Sequence, residues 1–380
     1  MYNLLTMDKS YPILIVSLSK CYGGADVRVL NLAKFLHGNY SYEVATLTSS
    51  PLHRKLEAAG LCSLPVPYSR GDPRILLYLI KTIRLKSYLV VDAHNPQSQF
   101  WGSVAAMLAG VPVRICTVHS SYRLEHDNSL KGWLYEKVLF LNRLMGCRFI
   151  AVSESVYTYL RKFVGVSSKK ILLIYNSISP SISIMQRSDH NLLQSLGWED
   201  GVYVIIVVAR LEAVKGHIFL FQALQQILKK QPHVRCLIVG NGRMNIVLKA
   251  KAQEFNLQNV VYFAGFRNDI SELMNSSNAF CLPSLSEGLP YAILEACLHR
   301  LPLLVTSVGD MSKILTHMQT AFIVPPSRAD ALAEGICWLI SHQQEATNMA
   351  QRAHDLVLKQ FSIDAMIAKT LEMYQINVSE

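Results

Sequence analysis

No apolar run in this chain approaches the roughly 18 to 20 residues that a membrane-spanning helix needs, so a transmembrane helix is excluded. Metal-ligand and redox spacings are missing too. The eight cysteines, at 21, 62, 116, 147, 236, 281, 297 and 337, show no C-x-x-C, and several sit inside apolar runs, as buried reduced thiols do. There is no Asp-x-Asp pair to hold a diphosphate-bound cation. Either no diphosphate is handled, or one is neutralised by the chain's own cations and helix ends. No G-x-G-x-x-G dinucleotide fingerprint occurs. Charge is scarce as well, at 17% against 51% apolar residues, which excludes a disordered chain. What charge there is sums to +10 and favours anionic partners. The chain has no basic arm, zinc finger or interleaved aromatic–basic motif, so no nucleic acid is expected. Phosphorylated substrates and an anionic membrane surface fit better. The first apolar run, Pro12–Leu18, is short, and Lys20 precedes Cys21 where a lipoprotein site needs a small residue. It reads as the first strand of a cytoplasmic protein, with peripheral attachment at the inner face of a membrane as the variant to test.

At 380 residues the chain is long enough for two domains, each with its own core. Short apolar strands alternate with amphipathic helices throughout, the pattern of parallel sheets wrapped by helices. Strands are expected near 13–18, 43–48, 89–92, 113–117, 148–152 and 171–175, then near 202–208, 234–239, 260–264, 279–282, 303–306 and 322–324. The Ser-rich stretch 176–198 reads as a linker. The expected division is a first Rossmann-like domain (1–178), a linker (179–199), a second Rossmann-like domain (200–358) and a terminal segment (359–380) that carries an amphipathic helix over Phe361–Tyr374. A cleft is expected between the domains. The segment Arg74–Lys86 is a cationic, apolar helix that either packs on the sheet or lies at an anionic lipid surface.

The most informative stretch is Ser284-Leu-Ser-Glu-Gly-Leu-Pro-Tyr-Ala-Ile-Leu-Glu-Ala296. It follows the apolar run 279–283, with Gly288 breaking the pattern and Pro290 at the expected first helical position. Glu287 then lies on a strand-to-helix loop and Glu295 inside the helix. Eight helical positions correspond to a rise of about 12 Å, so the two carboxylates suit separate points on one extended ligand. The helix start between them offers backbone N–H groups to phosphate.

Other strand ends carry chemistry. Two glycines in Lys20-Cys-Tyr-Gly-Gly-Ala-Asp26 let backbone approach a ligand. His94 and His119 fall at carboxyl ends of strands, where open α/β sheets bind ligands. His119 suits a hydrogen bond to a substrate hydroxyl, and a structural role suits His94. In Ala209-Arg-Leu-Glu-Ala-Val-Lys-Gly-His217, Arg210 and Lys215 follow a buried strand directly and suit a leaving diphosphate.

These blocks together resemble the family-4 retaining glycosyltransferases of GT-B fold, over roughly residues 12 to 375. Glu287-x7-Glu295 matches that family's E-x7-E signature. Arg210-Leu-x-x-x-Lys215-Gly216 matches G-R-L-x-x-x-K-G, with Ala209 in place of the first glycine. Gly23-Gly24-Ala25-Asp26 resembles the G-G-A-E turn, with Asp for Glu, and Thr117-Val-His119 matches T-x-H. Leu237-Ile-Val-Gly240-Asn-Gly resembles I-V-G-x-G, and Phe263-Ala-Gly-Phe266-Arg267 the loop that holds the base. The landmarks Ala151-Val-Ser-Glu154 and Ile174-Tyr-Asn-Ser177 are similar to family strand ends. Val308-Gly-Asp-Met-Ser-Lys313 departs, because relatives usually carry a second glycine and a glutamate there.

The resemblance implies a polysaccharide or lipopolysaccharide biosynthetic transferase that moves a sugar from a UDP- or GDP-sugar to a glycan or lipid-linked acceptor. Configuration would be retained, by attack from the leaving-group face with a diphosphate oxygen taking the acceptor's proton. No metal or other cofactor is implied. It further implies that His119 and Glu287 contact the transferred sugar, and that Gly23, Gly24, Arg210, Lys215, Gly288 and Leu289 surround the diphosphate. Gly240, Phe266, Arg267 and Glu295 would hold the nucleotide, the first domain would take the acceptor and the second the nucleotide sugar, the terminal helix would cross back onto the first domain, and domain closure would exclude water. A same-fold nucleotide-sugar 2-epimerase and a catalytically silent sugar-nucleotide-binding partner are the alternatives.

Overall fold

The computed structural model describes residues 11–125, 129–178, 197–199 and 201–375. The chain divides into two compact units, Met1–Ser177 with Ile363–Glu380, and Ile178–Ser362. Apart from 197–199, the expected linker lies outside the described residues.

In the first unit the described residues form a seven-stranded parallel sheet. Its strands are β1 (Ile13–Ser17), β2 (Tyr42–Leu47), β3 (Ser63–Val66), β4 (Val90–His94), β5 (Val113–Val118), β6 (Arg148–Ala151) and β7 (Ile171–Leu173). The order is β3-β2-β1-β4-β5-β6-β7. Every residue of β1 is buried, and the alternation of side chains serves two cores at once. Ile13 and Ile15 join Val29, Leu32 and Leu36 of the helix Gly24–Leu36 on one face. Leu14 and Val16 join Leu79, Ile83 and Ala105 on the other. β3 is an addition to the strands expected from sequence. Pro65 interrupts its pattern, and such a strand is tolerated because it lies at the sheet's edge. β4 is longer than expected and includes His94.

The helix Arg74–Lys86 buries Ile75, Leu79 and Ile83, one stripe at four-residue spacing, in the second of these cores. It is a sheet-covering helix. The terminal helix, expected over 361–374, runs from Ile363 to Tyr374. Met366, Ile367, Leu371 and Tyr374 enter the core of the first unit.

The second unit has a six-stranded parallel sheet among its described residues, in the order β10-β9-β8-β11-β12-β13. These are β8 (Tyr203–Val208), β9 (Val234–Val239), β10 (Val261–Gly265), β11 (Ala279–Leu282), β12 (Leu303–Thr306) and β13 (Phe322–Val324). Its core gathers Val207, Leu220, Phe221, Leu224, Ile238 and Ile336 from strands and covering helices. In both sheets the winding direction reverses once, between β1 and β4 and between β8 and β11. Such reversal points open a crevice at the carboxyl edge, where ligands of open α/β sheets bind.

Candidate functional site

In the second unit, the loops leaving β8 and β11 carry the sequence-predicted charges to one place. Lys215 ends the short turn Ala213–Lys215, and its Nζ lies 2.5 Å from Glu287 Oε1. Ser284 Oγ donates to the same carboxylate oxygen at 2.6 Å. Both ionic side chains are largely buried, at 14% and 7% exposure, so their attraction is little screened. The two loops are stitched by Leu285 N–H donating to the Val214 carbonyl at 2.7 Å. They also touch where Gly216, at φ +67°, passes Pro283: a Cβ there would stand 2.0 Å from the Pro283 carbonyl oxygen. Only glycine satisfies both the left-handed backbone and that approach. Arg210 sits exposed at the start of the same β8 loop.

Neighbouring loops close around these two. Thr306 Oγ1, ending β12, donates to the Ser284 carbonyl at 2.6 Å. Gly309, at φ +58°, lies so close to Glu287 that a Cβ would meet its carbonyl oxygen at 2.0 Å. The segment where the sequence departs from the family pattern therefore keeps the glycine that packing demands. Gly240, at φ +138°, likewise crosses Ala209, and its N–H donates to the Gly265 carbonyl at 2.8 Å. Gly288 and Leu289 lead to Pro290, which caps the helix Tyr291–Leu298 instead of forming its first residue. Glu287 thus precedes the helix by four residues, and ideal-helix spacing does not describe its distance from Glu295.

Glu295 lies inside that helix, and its carboxylate has no hydrogen bond or ion pair among the described residues. Burial pushes it up to about 7. Phe266 is half exposed beyond β10, the sheet's far edge strand, and Arg267 there is paired with Asp269, Nε to Oδ1 at 2.7 Å. These two residues are brought near the Gly240 turn through β9, not to the Lys215–Glu287 pair.

The first unit gathers the rest. Gly23 caps the helix Gly24–Leu36, and its N–H donates to Asp26 Oδ2 at 3.1 Å. A Cβ on Gly23 would meet nothing within 4 Å, so the turn leaves open space beside the backbone. Asp26 is buried and accepts from Ser17 Oγ at 3.0 Å; burial raises it to about 6. Across the reversal point, Asn95 holds φ +63°, ψ 158°, a costly conformation for a residue with a Cβ. Hydrogen bonds keep it there: its Oδ1 accepts from Ser98 N at 3.2 Å, and its Nδ2 donates to Ser19 Oγ at 3.2 Å. His119 follows β5 and is partly exposed, with Nε2 3.0 Å from His94 Nδ1. Burial, then His94 and Arg28, hold His119 well below the usual imidazole range, so it is neutral.

Sequence reasoning overlooked Ser284, although Ser-x-x-Glu spacing was there to read. It also overlooked His217, whose two ring nitrogens are buried without a hydrogen bond and which burial beside Lys215 lowers to about 4. Tyr374 had no local signal at all.

Residues 22–182 match the model of Glycosyltransferase Family 4, and residues 189–356 match that of Glycosyl transferases group 1. The chain belongs to the family-4 glycosyltransferases. This glycosyltransferase is 25% identical over 308 residues to the UDP-Gal:alpha-D-GlcNAc-diphosphoundecaprenol alpha-1,3-galactosyltransferase of Escherichia coli, covering 80% of this chain and 79% of that one. It is also 25% identical to the capsular polysaccharide biosynthesis glycosyltransferase CapM of Staphylococcus aureus, over 100% of this chain and 97% of CapM. Among solved structures, Anabaena HepE in complex with UDP and glucose superposes with TM-score 0.83 at 21% identity, covering 95% of this chain and 98% of HepE. The shared architecture is GT-B.

Proposed function

We propose that this glycosyltransferase moves a sugar from a nucleoside-diphosphate sugar to a hydroxyl of a glycan or lipid-linked acceptor, with retention of configuration and without a metal ion. The observation that carries the proposal is the buried Lys215–Glu287 pair at the β8–β11 reversal point, with Lys215 on the loop that Arg210 begins. Arg210 and Lys215 supply the positive charge that a diphosphate leaving group needs, and the first turn of the helix Tyr291–Leu298, behind Gly288 and Leu289, adds backbone N–H groups. Glu287 binds hydroxyls of the sugar. Glu295, with its unpaired carboxylate, accepts from the ribose hydroxyls, and Gly240, Phe266 and Arg267 lie along the base. For Gly23 and Gly24 of the first unit the family motif supports a diphosphate-binding role, and for His119 a role toward the transferred sugar.

In the reaction the acceptor oxygen bonds to the anomeric carbon as the bond from that carbon to the diphosphate oxygen breaks. The bonding pair leaves on the diphosphate, and the acceptor's proton passes to a diphosphate oxygen. A uridine nucleotide is supported by the UDP-Gal named for the Escherichia coli relative and the UDP held by HepE. A polyprenyl-diphosphate-linked acceptor is supported by the first of these names.

Such an acceptor lies at a membrane, and the first unit has a surface suited to one. The helix Leu130–Leu144 turns Leu130, Trp133, Leu134, Phe140 and Leu144 outward, with Leu130 74% and Leu144 66% exposed. Lys131, Lys137 and Arg143 stand among them, the composition of a helix that lies in an anionic bilayer interface.

Release of UDP or GDP from a panel of donor sugars, with and without acceptor and with EDTA present, tests the whole proposal. Lys215→Ala and Glu287→Ala should each lower transfer by about 10²-fold or more while the fold survives. Wild-type turnover in either variant refutes those roles, and strict dependence on manganese refutes metal independence. Donor binding without turnover on any acceptor would favour a silent sugar-nucleotide-binding protein.

A further inference from the structure

Asp92 and His94 stand two residues apart on β4, so they face the same side of the sheet, and both are buried. Asp92 is fully engaged. Thr117 Oγ1 donates to its Oδ1 at 2.8 Å, and the hydroxyl of Tyr374, from the terminal helix, donates to its Oδ2 at 2.7 Å. That same Oδ2 lies 3.4 Å from His94 Nε2, off the line of an ideal hydrogen bond. On the other side of the ring, His94 Nδ1 is 3.0 Å from His119 Nε2. A chain of close contacts therefore runs from the terminal helix to the histidine at the sheet's carboxyl edge, Tyr374, Asp92, His94, His119, with the Asp92–His94 step at ion-pair distance and without a hydrogen bond.

Hydrogen-bond logic constrains the protons along it. A carboxylate can only accept, so a proton of His94 belongs on Nε2, facing Asp92. With that single proton on the ring, Nδ1 is an acceptor and His119 donates from Nε2. The lone pair of His119 is left on Nδ1.

We propose that Asp92, braced by Tyr374 and Thr117, acts through His94 as the positioning residue of His119, keeping its proton on Nε2 and its Nδ1 open to accept from a substrate hydroxyl. The consequence for catalysis rests on the site role given to His119 above; the consequence for the tautomer does not. Two further features agree. The carboxyl of Asp92 stays below its usual range despite complete burial, because His94, Tyr374 and Thr117 favour its charged form. His119 is held neutral by burial and by His94 and Arg28. The charged and titratable groups facing the two imidazoles are Asp92 of β4, Asp26 and Arg28 of the helix after β1, and Tyr374.

The experiment is 15N NMR of the histidine-labelled full chain without substrate, for wild type, Asp92→Asn and Tyr374→Phe, alongside kcat and the donor KM. Wild type should show His119 with a protonated Nε2 and a bare Nδ1. The amide of Asp92→Asn can donate to His94 Nε2, which reverses both tautomers. In that variant the His119 proton should move to Nδ1, and kcat should fall on the order of 10- to 100-fold, because a donor would replace the acceptor facing the substrate. Tyr374→Phe removes one bond to the carboxylate and should move the acid limb of the kcat profile to higher pH with the neutral-pH tautomer intact. It is also the variant to rely on if Asp92→Asn does not fold. A protonated Nδ1 in wild type, an unmoved His119 proton in Asp92→Asn, or an unmoved acid limb in Tyr374→Phe overturns the proposal. A reversed tautomer with unchanged kcat and KM supports the positioning of the proton and instead overturns the substrate role of His119.

Discussion

At the scale of single residues, the site is governed by what burial does to charge. Lys215 and Glu287 solve the problem by pairing, while Glu295 stays unpaired and is pushed up to about 7. In the proposed role Glu295 accepts from ribose hydroxyls, and a carboxylate does so best when ionised. Donor affinity should therefore rise with pH up to about 7 and then level off, by at most about tenfold per pH unit below that value. Glu295→Gln should weaken donor binding and flatten this dependence; calorimetric titration of the donor nucleotide across pH checks both. Linkage runs the opposite way for stability. The folded value is raised above the ordinary 4.5, so the contribution of Glu295 is complete below about 4.5 and is lost as pH rises toward 7. Gly216 makes a second residue-scale prediction. With φ +67° and a carbonyl oxygen 2.0 Å from any added Cβ, Gly216→Ala should cost roughly 1 to 3 kcal/mol or displace the β8 and β11 loops. Denaturant titration measures the first outcome, loss of donor binding the second.

At the scale of elements, two helices of similar cationic, apolar composition pack differently. Arg74–Lys86 is cationic and apolar, yet its Ile75, Leu79 and Ile83 are buried against the sheet. Leu79→Ala should accordingly destabilise by about 2 to 5 kcal/mol in thermal or chemical unfolding. Leu130–Leu144 turns five large apolar side chains outward, where Arg74–Lys86 turns out Leu77 and Leu85. Replacing Trp133 and Leu134 together by Glu should remove binding to anionic vesicles in a flotation assay, with little change in melting temperature. Retained binding, or equal binding to neutral vesicles, would refute the lipid-facing assignment. Periodicity alone cannot separate the two helices, because it says that a face is apolar and not whether another element covers it. The strand β3 escaped notice for a related reason: Pro65 argues against a strand unless the strand is an edge, and edges are set by sheet order.

At the scale of the whole molecule, the chain returns to its beginning. The terminal helix Ile363–Tyr374 belongs to the first unit, where Met366, Ile367, Leu371 and Tyr374 fill the core beside Ile13 and Ile15. Arg28, buried among them, donates to the carbonyls of Ile174 and Tyr175 and, at 3.4 Å, to Thr370 Oγ1. Truncation after Ser362 would delete four large core side chains at about 2 to 5 kcal/mol each, against a typical domain stability of 5 to 15. The first unit should then fail to fold while the second keeps its own melting transition. Calorimetry showing both transitions in the truncated chain would contradict this.

The sequence by itself determined whatever is written locally: alternation of buried strands and helices, the loops holding Arg210, Lys215, Glu287 and Glu295, and the order of blocks that marks the family. Strand order, which side chains share a hydrogen bond, and which apolar faces stay bare depend on residues far apart in the chain. The pairing of Lys215 with Glu287 spans 72 positions, and that of Tyr374 with Asp92 spans 282. Only tertiary structure could decide those, because local pattern fixes what a residue can do and packing fixes what it meets.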